Sequence, residues 1–343
     1  MIYINKEQEL TTYEWDKAIV TLSLCGKLKE ADSILIKPNF AAGTYVDPRT
    51  HCVSDLSLLS KVIELVASTN DHAVIYIAES DSTGNGFAYL KFQHLGIPDS
   101  LGLSDIVAER VKCLDLTRDI LHVVDRQDMQ YFSPTGNTLC LSETLCKADF
   151  IISLCNLKAH SVTGYTGACK NLFGCLPDFD KSHYHPYIHK VIHDLVLQIQ
   201  PDLSIIDGFY AMEGNGPVHG KDKNIGYRII SDNALEADYY GAKSVGLIPE
   251  RIGYINRLKK TTGFKGETKP VETVAFRKPG VFLRCMNKTG LVIQRIGQST
   301  AHFGHKIHTC NNIVVLGIAI ARPLLIKTIG IEKLKKMKRK IMK

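Results

Sequence analysis

Residues 149–190 read DFIISLCNLKAHSVTGYTGACKNLFGCLPDFDKSHYHPYIHK. An apolar run, Asp149 to Cys155, leads directly into a polar, glycine-bearing segment, Leu157 to Lys190. A short apolar run bounded by turn residues predicts a strand buried on both faces. Strands of that kind belong to parallel sheets covered by helices on either side. The segment leaving the strand carries Lys158, His160, Lys170, Lys181, His183, His185 and His189, with Gly164, Gly167 and Gly174 between them. Glycine lets a backbone turn tightly or approach a ligand. Histidine and lysine are the side chains most readily tuned as acids, bases, ligands or nucleophiles near neutral pH.

Outward from this stretch the pattern repeats. Ser33–Lys37 (SILIK) predicts a strand ending at Lys37-Pro38-Asn39, because proline removes a ladder donor. Ser54 to Thr69 spaces Leu58, Leu59, Val62, Leu65 and Val66 as a helix, with Ser54 and Asp55 as start signals. Ala73 to Ala78 predicts a buried strand, ending in the polar loop Glu79 to Gly86. Leu103 to Cys113 reads as a helix, Tyr187 to Ile199 as another, and Leu203 to Ile206 as a strand before Asp207 and the loop Glu213–Pro217. Tyr227 to Ile230 and Ala234 to Val245 add one more strand and helix. The expected fold is α/β, a mostly parallel sheet with helices on both faces. Residues 1–253 form its core, residues 254–312 an appendage, and residues 313–343 an apolar segment and basic amphipathic tail. In such sheets ligands bind beyond the strand carboxyl ends. The clusters at Lys37, Glu79, Lys158–Lys170 and Asp207–Glu213 all fall there.

The chain has 42 basic and 35 acidic residues, and its last eleven residues (KLKKMKRKIMK) hold seven of the basic ones and no acid. The remainder is neutral, so the basicity belongs to a tail and no nucleic acid is expected as a partner. Leu324, Leu325, Ile326, Ile329, Leu334, Met337 and Ile341 alternate with those cations, a pattern that suits a helix on an anionic membrane surface or one docked on the body. Ile313–Ala321 is apolar for only nine residues, too short to span a bilayer. The ten cysteines form no C-x-x-C pair, and the start lacks a signal-peptide layout. A cytoplasmic protein, peripheral at the inner face of a membrane, is the expectation.

Gly164–Lys170 (GYTGACK) lacks P-loop spacing, yet Gly167 could open a helix whose first N–H groups hold an anion near Lys170. Thr166 and Asn171 flank it. The same spacing also suits a plain turn with a surface lysine. His183 and His185 alternate, and His189 and His193 lie four apart, so each pair shares a face if extended or helical respectively. With His160 they are candidate ligands of a divalent metal, although the H-E-x-x-H pattern is absent. Glu79, Asp81, Asp207 and Glu213 are candidate bases or metal-holding carboxylates, or simply turn formers.

Seven blocks resemble the family catalogued as domain of unknown function number 362: ILIKPN (34–39), AESD (78–81), ADFIISLCNLKAH (148–160), TGYTGACKNLFG (163–174), LSIID (203–207), MEGNGP (212–217) and Ser231–Asp238, spanning about residues 33–245. The resemblance implies redox or cofactor chemistry and a ferredoxin-type partner, since many members carry iron–sulfur modules. No C-x-x-C-x-x-C run is present here, so this chain is not expected to bind an iron–sulfur cluster. The His160–Lys170 block is also similar to the nickel-pincer lactate racemase family. That similarity implies that Lys170 anchors a nicotinate-derived nucleotide, with His160 and His185 as bases or ligands. The combined expectation is an enzyme, of redox or isomerase type, that takes a small anionic substrate or nucleotide-like cofactor. Its catalytic set would be His160, Lys170, Lys158, Glu79 and Glu213. Lys37, Asn39, Gly164, Thr166, Gly167, Asn171, Asp207 and Asn215 would bind the cofactor. The alternative is a non-catalytic metal or iron–sulfur-system accessory held at a membrane.

Overall fold

The run at 149–155 is a strand, and a longer one than its apolar stretch implies. In the computed structural model, residues 1–40, 51–81, 92–93, 95–126, 128–218, 220–266 and 272–277 are described. The strands are β1 (Ile2–Asn5), β2 (Ser33–Pro38), β3 (Val74–Glu79), β4 (Val111–Asp115), β5 (Leu121–Val124), β6 (Leu139–Ser142), β7 (Phe150–His160), β8 (Gly164–Thr166), β9 (Leu203–Glu213), β10 (Lys221–Lys223) and β11 (Arg228–Ser231). The main helices are α1 (Thr12–Thr21), α2 (Cys25–Glu30), α3 (Leu56–Thr69), α4 (Ala168–Asn171), α5 (Ile188–Ile199), α6 (Ala234–Ser244) and α7 (Gly253–Thr262).

The main sheet runs β1-β11-β9-β7-β2-β3-β4, with β10 added to β9 and β8 to β7. From β9 to β4 every neighbouring pair is parallel, while β11 and β1 are antiparallel. The expected mostly parallel α/β architecture therefore holds. On one face Ile34, Ile36, Ile75, Ile77, Ile152, Leu154, Leu203 and Ile205 share a core with Trp15 and Ile19 of α1 and Leu59, Val62 and Ile63 of α3. α4 and α6 pack on β7, β9 and β11. Alternate residues of β2, β7 and β9 point to opposite layers and both sets are buried. The first halves of these strands consequently read as apolar runs, and the buried polar residues follow toward their carboxyl ends.

The helix at 56–69 starts as its spacing predicts, with the Asp55 carboxylate accepting the Leu58 N–H at 2.9 Å. Its far end is tied by Asn70, which is buried. The Asn70 amide donates to the carbonyls of Leu28 (2.9 Å) and Ala31 (2.8 Å), and its oxygen accepts the Ala73 N–H at 2.7 Å. One side chain thus joins α2, α3 and the approach to β3.

Three sequence expectations need correction. Leu103–Cys113 is not one helix. Only Asp105–Ala108 turns before β4 begins at Val111, and Ile106, one of its apolar residues, is 78% exposed. The strand does not stop at Cys155 but continues to His160, because β8 folds back and pairs Lys158 with Thr166 and His160 with Gly164. The core does not stop at residue 253. Tyr254, Ile255 and Leu258 of α7 are buried, and α7 packs on α5.

The chain divides into a unit of Met1–Lys181 and Tyr187–Gly280 and a second of Ser182–Pro186 and Val281–Lys343. In the described part of the second unit, the His183 and Tyr184 rings lie 3.8 Å apart between centroids. Most of the glycine-bearing loop after Glu79, most of the expected appendage and the whole basic tail lie outside the described residues. No described helix is long and apolar enough to cross a membrane. Replacing Asn70 with alanine strands several buried backbone groups, and about 3 kcal/mol of stability should be lost. Denaturant unfolding of Asn70→Ala measures it; an unchanged midpoint would contradict the tie.

Candidate functional site

Parallel strands that end together bring their carboxyl-terminal residues into one crevice, and here three of those ends carry buried charge. β2 ends in Lys37-Pro38-Asn39, β3 in Glu79, and β7 carries Lys158 near its end. Lys37, Glu79 and Lys158 are all buried. The Lys37 ammonium lies 3.2 Å from Glu79 Oε1 and donates to the Pro38 carbonyl at 2.7 Å. Lys158 donates to Asn39 Oδ1 and to the Cys52 carbonyl, both at 2.6 Å. Asn39 in turn donates to Asn171 Oδ1 at 3.2 Å, and Asn171 Nδ2 donates to the Lys37 carbonyl at 2.8 Å and to Ser153 Oγ at 3.1 Å.

The turn after β8 closes this crevice. Gly167 precedes α4, which carries Lys170 and Asn171, and the chain then passes Gly174. A Cβ on Gly174 would stand 3.0 Å from the Lys37 ammonium and 3.3 Å from Glu79 Oε1, so the backbone here lies directly on the ion pair. Ser80 anchors the same turn by donating to the Gly174 carbonyl at 2.6 Å.

Lys170 is half-buried, with its ammonium 5.5 Å from the Phe173 ring centre. Removal from water, then the like charges of Lys158 and Lys37, push its pKa down to about 7. Burial likewise pushes Lys158 down to about 8; Lys37 adds to the fall, while Glu79 opposes it. Three cations therefore face one carboxylate in this group, and an anion would relieve the imbalance.

The structure brings Lys37, Asn39, Glu79, Lys158, Lys170 and Asn171 together, and it places the other expected residues in different surroundings. At the α4 start one of the N–H groups that could hold an anion is already taken: Asp238 accepts the Cys169 N–H at 3.3 Å. Gly164, with φ of +82°, turns the β7–β8 hairpin. Thr166 Oγ1, opposite Lys158 in that hairpin, is buried without a hydrogen-bond partner among the described residues. His160 Nδ1 accepts the Val162 and Thr163 N–H groups at 3.1 and 3.3 Å, so a neutral ring carries its proton on Nε2 and acts there as a donor.

Asp207 pairs with Arg228 at 3.3 Å; burial pushes its pKa up to about 6 against the pull of Arg228. Glu213 accepts the Arg277 N–H at 2.9 Å. Asn215 lies half-buried in the bend after β9. His189 stacks on Tyr254, 6.1 Å between centroids, while His183 and His185 belong to the second unit. Among the described residues no three of His, Cys, Asp and Glu come together to hold a metal. Ser153 and Asp238 were not legible as site residues: one sits mid-strand, the other on a helix far along the chain. Two clefts of about 190 and 400 Å³ border Asp202, before the start of β9, and include none of these lysines.

Fold and site define an α/β protein with a buried, lysine-rich side-chain cluster at the ends of its parallel strands. The family described as Domain of unknown function (DUF362) matches residues 34–243, and the chain belongs to it. A thylakoid-associated protein of Synechocystis sp. is 29% identical over 235 residues, which is 66% of this chain and 66% of that one. The lactate racemase apoprotein of Thermoanaerobacterium thermosaccharolyticum aligns with a TM-score of 0.46 at 12% identity, over 68% of this chain and 55% of that chain.

The lysine pKa values make stability depend on pH. An unfolded lysine holds its proton to about pH 10.4, whereas folded Lys170 and Lys158 lose theirs near 7 and 8. Between these limits the unfolded chain binds more protons, so these groups make the fold more stable as pH rises from about 7 to 10. Lys170→Met should flatten that rise, as read by denaturant unfolding at a series of pH values. An identical profile would remove Lys170 from the group.

Proposed function

We propose that the chain is an enzyme whose crevice binds a small anionic substrate or nucleotide-like cofactor through a phosphate or carboxylate. The observation that carries this is the set of three lysine ammonium groups, Lys37, Lys158 and Lys170, against the single Glu79 carboxylate. Lys37 is already paired and sets the field. Lys158 and Asn39 hold the anion's position, and Lys170 contacts it from the turn. A lysine titrating near 7 is part ammonium and part free amine at neutral pH. It can therefore clamp an anion, accept a proton or attack a carbonyl carbon. Reactions that move a proton next to a carboxylate, or that shuttle electrons to a bound nucleotide, both suit such a group.

The residues fit an anionic cofactor better than a metal. A histidine that binds metal through Nε2 normally donates from Nδ1, and His160 Nδ1 instead accepts two backbone N–H groups. The anionic part of a nucleotide-like cofactor would lie against Lys158 and Lys170. The cofactor would supply the electron-accepting chemistry and the chain the charge and the proton.

Pyrophosphate is a suitable probe. Isothermal titration should show binding that weakens as pH rises from 6 to 9, as the two lysines lose charge. Lys170→Ala should weaken it about tenfold at pH 6.5, the size of one charge-assisted contact. Equal affinity in wild type and variant would end this reading.

A second reading rests on the tail and the relative. The thylakoid association in the relative's name and the seven cations in the last eleven residues favour a peripheral membrane protein; a ferredoxin-type redox partner enters this reading only through the family resemblance. Removing residues 324–343 should then abolish co-sedimentation with anionic phospholipid vesicles at low salt. Equal sedimentation of the full and shortened chains would exclude the tail as the anchor.

A further inference from the structure

α4 is a single turn, and its start is not capped from within, since the residue before it is glycine. A carboxylate from another helix takes that place. Asp238, in the second turn of α6, is fully buried. Its Oδ2 accepts the Cys169 N–H at 3.3 Å and the Tyr254 hydroxyl at 3.0 Å. A Cβ on Gly167 would collide with Asp238 Oδ1 and would stand 2.6 Å from the Tyr165 hydroxyl. Glycine at that position is therefore what lets the carboxylate reach the turn. The titratable groups that act on or feel Asp238 come from every element around it: Cys155 of β7, Tyr165 of β8, Cys169 of α4 and Tyr254 of α7. None of these is a cation. Burial consequently pushes the Asp238 pKa up to about 7. An apolar residue would fill this space without that desolvation cost, so the carboxylate is retained for the bonds it makes.

We infer that Asp238 is the positioning residue of the Lys170 turn: by holding the start of α4 from α6, it sets where Lys170 and Asn171 stand over the ends of β2 and β7. This rests on the anion-site reading above and extends it to a residue outside the crevice. The mechanical link is short. Asn171 spans the Lys37 carbonyl, Ser153 and Asn39, and Lys170 precedes it. A turn that loses its anchor lets Lys170 swing into water, where its charge is restored.

The test uses the full chain and two readouts. The first is the pH dependence of Lys170 acetylation by acetic anhydride, followed by mass spectrometry with surface Lys61 as internal reference. The second is pyrophosphate affinity. In the wild type Lys170 should react with a midpoint near neutrality, well below Lys61. Asp238→Ala should raise the midpoint by about one pH unit or more and weaken pyrophosphate about tenfold. Asp238→Asn keeps one oxygen acceptor for the turn and should shift both by a smaller amount. Tyr254→Phe leaves the backbone bond intact and should change neither. Should Asp238→Ala fail to fold, Asp238→Asn and Gly167→Ala carry the same test. Wild-type values in the folded Asp238 variants overturn the inference while leaving the anion site standing. A wild-type Lys170 that titrates like Lys61, together with no pyrophosphate binding, overturns the anion reading and this inference with it.

Discussion

An ammonium group held out of water at the end of a parallel strand persists only if something nearby compensates its charge. Here the compensation is the contact between Lys37 and Glu79, 3.2 Å apart at the ends of adjacent strands. Much of the crevice follows from it. The pair needs a lid without a side chain, and Gly174 provides one. The lid needs an anchor, and Ser80, next to Glu79, provides that. The turn so placed brings Lys170 and Asn171 over β2 and β7. Glu79 does not offset the burial of Lys158 and Lys170 as well; removal from water is the main cause of the low pKa of both lysines, and the like charge of Lys37 adds to it.

The sheet was legible because buried parallel strands leave a simple trace. SILIK, AVIYIA, DFIISLC and LSII each read as apolar runs, and each is a strand. The strand-end rule gathers Lys37, Glu79, Lys158 and Lys170 from sequence alone. Elements without such a trace stayed hidden. β1 is four residues long and gains its place by pairing with β11, more than two hundred residues away. The hairpin of β7 and β8 looks like a polar loop because Lys158, His160, Thr163 and Thr166 interrupt its apolar residues, although all four are buried. Leu103–Cys113 shows the opposite failure: helical spacing was present, but the segment has no wide face to bury.

Within the site, residue type was a better guide than residue partner. Asp207 and Glu213 were visible as carboxylates at strand ends, yet each meets an arginine, Arg228 and Arg277, that no local pattern marks. His189 and His193 share a helical face as their spacing implies. That face meets α7, where His189 stacks on Tyr254 and His193 lies 2.8 Å from Thr261 Oγ1. The glycine-rich turn looked like a receptor for an outside anion, and it holds one from inside the chain. Asp238 belongs to a block that carried the family resemblance, but its role depends on a contact across 69 residues.

β7 and β9 are eleven residues each, while β2, β3 and β4 are five or six. The longer pair overhangs its neighbours like a cantilever, stiffened by β8 on one arm and β10 on the other. Lys158 sits well out on this beam, two residues from the end of β7, where Asn39 and Cys52 grip it, and Gly164 and Gly214 mark the turns beyond. The grip on Lys158 fixes the beam short of its turns. A longer or shorter turn after His160 or Glu213 would therefore change what the overhang reaches toward while leaving the charged joint in place.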